Sequence, residues 1–64
     1  MKIEVGDMIV GGRDYGIVTE IKEEKATIHW FDMNSDYNCT MKYWANTLES
    51  TIDGKHNKLV KAKQ

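Results

Sequence analysis

GIVTEIKEEKATIHWF, from Gly16 to Phe31, reads as two β-branched runs joined by a short charged turn, and so as a hairpin. Its second arm alternates, with Ala26, Ile28 and Trp30 on one side and Thr27, His29 and Phe31 on the other. That is the period of a half-buried strand, and no helix of useful length fits it. The first arm is less regular. Ile17, Thr19 and Ile21 share a face while Val18 falls opposite, so a bulge near Thr19 and Glu20 is expected to turn Val18 inward.

Working outward, Val5-Gly6-Asp7 is a turn signal followed by strand formers, which predicts a first strand at about residues 7 to 11, with Met8 and Val10 facing inward. Gly11 and Gly12 allow the chain to turn back through Arg13, Asp14 and Tyr15. Beyond the hairpin, residues 32–38 are rich in Asp, Asn and Ser, whose side chains bond locally to the backbone and favour a loop. A fourth strand is predicted from Cys39 to Trp44, a single tight helical turn at residues 45–47, and a short fifth strand at Leu48 to Ile52.

Five short strands with such tight connections predict an all-β fold, a strongly bent five-stranded small barrel with a short helical turn before its last strand. The interior is expected to hold Val5, Met8, Val10, Ile17, Val18, Ile21, Ala26, Ile28, Trp30, Met41, Leu48 and Ile52. The barrel is assigned to residues 1–54 and a basic tail to residues 55–64. The tail has one apolar pair, Leu59-Val60, and fits a disordered segment, a fraying helix or an added edge strand.

The run VGDMIVGGRDYGIVTEIKEEKATIHWFD, followed by KYWANTLESTI, resembles the Src-homology-3-like small barrels of Tudor and KOW type. The matching positions are Val5 to Val10, Gly16 to Ile21, Ala26 to Trp30 and Leu48-Glu49. The chain is similar in particular to short uncharacterised proteins of tailed bacteriophages. The resemblance covers about residues 3–53 and implies a fold more than an activity. It departs from the KOW pattern near Gly16, where the only cation is Arg13, beside Asp14.

Sixty-four residues supply one compact core and little more, which argues against a separate substrate cleft and hence against an enzyme. The single Cys39 cannot form an internal disulfide, and the first residues lack an apolar run for export. Together they predict a cytoplasmic protein, in the host cytoplasm if it is viral. No segment reaches the length of a membrane span. Net charge is −1 overall, but residues 1–54 hold all ten carboxylates, while the tail carries Lys55, Lys58, Lys61 and Lys63.

The aromatic residues are the best functional candidates. Tyr15, Phe31, Tyr37, Tyr43 and Trp44, with Asp32, are expected to meet at one loop rim and to contact a protein partner or a second copy of the chain. Phe31 and Trp44 point away from the core, so they define that rim most sharply. Tyr15, Phe31, Tyr37 and Trp44 with Asp32 or Asp36 also have the composition of an aromatic cage for a methylated lysine. The alternative is a nucleic-acid binder in which Arg13, Lys55, Lys58, Lys61 and Lys63 meet phosphates while rings stack on bases. His29 and His56 have no second ligand at metal spacing, so neither a metal, another cofactor nor a small-molecule substrate is inferred.

Overall fold

The computed structural model describes residues 3–62. Its elements are β1 (Met8–Gly11), β2 (Asp14–Lys22), β3 (Lys25–Asp32), β4 (Asn38–Trp44), α1 (Ala45–Asp53) and β5 (Lys58–Val60). The five strands form one antiparallel sheet in the order β4-β3-β2-β1-β5. The chain is therefore mostly β with one short helix. β4 and β5 stand at opposite ends of that order, so hydrogen bonding leaves the sheet open.

The central hairpin forms as its alternation predicts. Lys22 pairs with Lys25 around Glu23 and Glu24, which take φ of 52° and 66°. Both turn residues are left-handed, the conformation of the two-residue turn whose twist matches the flanking strands. The ladder slips between Val18 and Glu20, and Val18 is buried on the same side as Ala26 and Ile28. Gly16 lies opposite Trp30, and a Cβ there would stand 2.4 Å from Ile28 Cγ2 and 2.9 Å from the Trp30 ring. Glycine is what lets that indole lie flat on the hairpin.

Strand β1 has the opposite phase to the one its hydrophobic pattern suggests. Ile9 is fully buried, whereas Met8 and Val10 lie on the outer face opposite Ile17 and Tyr15. Ile17 is consequently an outer-face residue as well. The pattern misleads because residues sharing the face of Ile9 include Asp7, a carboxylate with 0% exposure. Only a bonded partner for that charge makes the inward register tolerable.

The partner comes from the other end of the chain. Asp7 Oδ2 accepts from Lys61 Nζ at 2.7 Å and from the Glu4 N–H at 2.9 Å, and Oδ1 accepts from the Ala62 N–H at 2.8 Å. Lys61 Nζ also donates to Glu4 Oε1 at 2.9 Å. The backbone is tied in too, with the Val18 N–H donating to Asp7 O at 2.9 Å and the Gly6 N–H to Val18 O at 2.8 Å. Burial alone would raise the Asp7 pKa. The hydrogen bonds from Lys61, Ala62 and Glu4, with the Lys61 charge, outweigh it and hold the carboxyl below its ordinary value. The bonds to Asp7 and Glu4 push Lys61 up in turn.

Just ahead of this clasp, β5 pairs with β1, Ile9 against Leu59. Of the three conformations the tail sequence leaves open, residues 58–60 adopt the edge strand. The predicted fifth strand at Leu48 to Ile52 is instead the body of α1. Leu48 and Ile52 satisfy both periods, since they are two steps apart on a strand face and one turn apart on a helix. Helix wins because Ala45 and Leu48 then bury together against the core, and the Ala45 N–H finds Glu24 O at 2.9 Å. The core consists of Ile3, Ile9, Val18, Ala26, Ile28 and Leu48, with Ile21, Trp30, Tyr43, Ile52 and Leu59 packed around it. Besides Met8, Val10 and Ile17, two further expected members are absent. Val5 is 58% exposed in the opening turn, and Met41, on the end strand β4, is 47% exposed.

Candidate functional site

Register decides which rings meet. On the outer face Tyr15 and Phe31 are cross-strand partners, and their rings stack with centroids 5.1 Å apart and 21° between planes. His29 leans on Phe31 at 4.8 Å, and its Nδ1 lies 2.8 Å from the Thr40 hydroxyl. Trp44 shares this face at the far end. It pairs with Lys25, whose ammonium sits 4.7 Å from the centre of its ring. Phe31 lies six steps along β3 from Lys25, about 20 Å at ~3.3 Å per residue. The single rim that was to join Trp44 to Tyr15, Phe31 and Tyr37 does not form, and neither does a four-ring cage.

The other candidates gather along the inner flank of β4. A hollow of roughly 480 Å³ is lined by Trp30, Phe31, Tyr37, Cys39, Met41 and Tyr43, with Asp14, Gly11 and Asn57 at its border. Alternation on β4 puts Cys39, Met41 and Tyr43 on the side of the core, in register with Trp30, Ile28 and Ala26. Because β4 is the last strand on this side, nothing in the sheet covers them. Trp30 and Tyr43 form the floor, edge to face at 6.4 Å, with the indole Nε1 donating to the Tyr43 hydroxyl at 2.9 Å. Tyr43 is thus half-buried and fixed by Trp30, a structural wall of the hollow.

The rim of that hollow is Tyr37, 67% exposed on the loop after β3. Hydrogen bonding with the Cys39 side chain first, then burial and the nearby Asp14 carboxylate, push its phenol above the ordinary value. Asp32 builds the loop that carries it. Its Oδ1 accepts from the Asn34 N–H at 2.8 Å, and its N–H donates to Tyr37 O at 3.2 Å.

The cations expected to meet phosphates are dispersed. Arg13 belongs to the same corner as Asp32: its carbonyl accepts from the Met33 N–H at 3.0 Å, and its guanidinium reaches the Asn34 amide oxygen at 2.9 and 3.2 Å when that amide is turned towards it. Lys61 is engaged by Asp7 and Glu4. Lys55 and Lys58 line one shallow hollow with His56 at the end of α1. Lys63 lies outside the described residues. A basic grouping that the sequence did not suggest occurs around Trp44, where Lys22, Lys25 and Lys42 share a hollow with Thr27, Glu20 and Glu23.

Among the described residues no group of His, Cys, Asp or Glu is placed to hold a metal ion. No described helix is long and apolar enough to cross a membrane. Sequence reasoning missed Asp7 and Met41 for opposite reasons. Asp7 carries a charge that looks solvent-bound, and Met41 looks like core until β4 proves to be the end strand of the sheet. Comparison with protein-family models, with curated proteins and with solved structures found no match.

Proposed function

We propose that this chain is a non-enzymatic interaction module of the Src-homology-3-like small-barrel type, which binds an extended protein segment along β4. The strand order β4-β3-β2-β1-β5, with a helix between β4 and the last strand, supports that fold relationship. A bacteriophage setting, which the sequence resemblance implies, and the cytoplasmic location expected from the lone Cys39 suit a module of this kind.

The observation that carries the proposal is the uncovered inner flank of β4. An apolar, ring-lined hollow lies beside a strand whose outer edge has no partner among the described residues. Edge strands present unpaired N–H and C=O groups, so an added strand gains main-chain hydrogen bonds while alternate side chains enter the hollow. Tyr37, Met41 and the Trp30–Tyr43 floor would supply the side-chain contacts, and the Tyr15–Phe31 stack would stiffen one end.

A displayed library of random peptides, selected against the immobilised chain, tests it. Extended apolar peptides should be recovered, should shift the amides of β4 and Tyr37, and should be lost with Met41→Lys. Shifts confined to β5 or to the Trp44 indole would reject the β4 flank as the site.

The grouping of Lys22, Lys25 and Lys42 around an exposed Trp44 favours one second reading, nucleic-acid binding, by stacking on the ring with lysines at the phosphates. Glu20 and Glu23 in the same hollow oppose a polyanion. Retention on single-stranded DNA or RNA at low salt, weakened by Trp44→Ala, is its signature.

A further inference from the structure

We propose that the segment received by β4 is the β4 of a second copy, the two strands running antiparallel about a two-fold axis at Met41. This rests on the β4 flank being the binding surface, and it names the occupant.

The two ends of the sheet are built differently. β5 has three residues, Lys58 projects from it, and the chain beyond it is held by the Asp7 clasp. β4 has seven residues, no proline, and an unbroken register with β3 from Asn38 to Trp44. Short length, charge and bulges are the devices that keep an edge from pairing. β4 has one of them, the single charge of Lys42. Tyr37, Met41 and Trp44, on this strand or next to it, are also large apolar residues left exposed.

The strand is complementary to itself in one register. With the axis at Met41 all seven residues are paired: Met41 with its own copy, Thr40 with Lys42, Cys39 with Tyr43, and Asn38 with Trp44. Residues directly opposite share a face, so Cys39, Met41 and Tyr43 of both copies line one continuous hollow. Each lysine then faces a hydroxyl. Moving the axis to Lys42 would set lysine against lysine, and moving it to Thr40 would leave Tyr43 and Trp44 unpaired. Registers with the axis between residues would put the two hollows on opposite sides of the joined sheet. The net charge of −1 per chain opposes association only weakly.

Sedimentation velocity over a wide concentration series, on the full chain, is the test. Wild type should show a monomer–dimer equilibrium. Thr40→Lys places two lysine pairs across the axis region and Thr40→Glu places two opposite-charge pairs there. The first should weaken and the second tighten the dimer dissociation constant, each by roughly two- to thirtyfold for two cross-strand pairs. Both changes fall at one exposed position, so a folding defect cannot produce opposite signs. In a Cys39→Ser background, Met41→Cys should cross-link to its copy on air oxidation. A chain monomeric throughout, or a dimer that responds to both Thr40 changes in the same direction, overturns the proposal. A monomer that still binds selected peptides along β4 removes the second copy and leaves the β4 surface standing.

Discussion

The two edges of this sheet solve one problem in opposite ways. At β5 a strand of three residues is followed by Lys61 and Ala62, which are bonded to a fully buried aspartate. At β4 a strand of seven residues ends the sheet with its apolar side chains over an open hollow. The first edge owes its order to polar groups that had to be paired once inside the protein. The second is shaped by apolar groups with nothing to pair against. Where burial is complete the polar network fixes one structure, and where burial is incomplete the surface is left able to bind.

The largest way to break the contrast is to remove the clasp. Asp7→Ala deprives Lys61 and the N–H groups of Glu4 and Ala62 of their acceptor, and should lower the unfolding free energy by about 3 kcal/mol. Urea denaturation measures this, and amide exchange should show β5 opening while β3 and β4 keep their relative protection. A loss confined to a few tenths would mean that the two edges are held alike.

Gly16→Ala attacks the other side. The added methyl meets Ile28 and the Trp30 ring, so stability should fall by about 2 kcal/mol through overpacking. Trp30 should then shift from Tyr43 and change the near-ultraviolet signal of the hollow, with the clasp intact.

Acid provides a graded version of the first experiment. Asp7 has a folded pKa below its ordinary value of 3.8, so its contribution is fully present above that value. It is lost as pH falls through the lower folded value. Wild type should therefore lose stability below about pH 4 more steeply than Asp7→Asn, in matched urea titrations. At the alkaline end the raised Lys61 contributes fully below its ordinary 10.5 and loses that contribution as pH rises through the higher folded value.

The smallest effect expected touches neither edge. Glu24 sits at φ 66° in the hairpin turn, and Glu24→Gly relieves a left-handed conformation that side chains adopt at a cost. A gain of about 1 kcal/mol in thermal or urea unfolding is expected, with peptide binding along β4 unchanged. If binding changed as well, the edge and the body would be coupled, and the contrast between the two ends would need redrawing.

Much of the architecture could be read from residues. The alternation from Ala26 to Trp30, the bulge that turns Val18 inward and the outward placement of Phe31 and Trp44 are present as expected. Each depends on neighbours a few positions away, where period and turn chemistry act directly. The readings that failed concern competition between distant segments. Met8 and Val10 are more apolar than Asp7, yet Asp7 is inside because Lys61 and Ala62 arrive to pair with it. Leu48 to Ile52 has β-branched residues and a two-residue period, yet it is helical because Ala45 and Leu48 bury that way. For the site, the residue types were legible and the grouping was not. Phe31, Tyr37 and Tyr43 do meet at one hollow, whereas Trp44, next to Tyr43 on β4, faces the opposite side of the sheet.

The sequence by itself determined that this chain is a small, mostly β protein built on one hairpin, because side-chain alternation and turn preference are local properties. Tertiary structure alone decided which face of β1 is buried, that the last basic segment becomes a strand, and that β4 is left uncovered. Those outcomes depend on which remote group satisfies a buried charge and which element covers an apolar face, and neither is encoded within a single window of the chain.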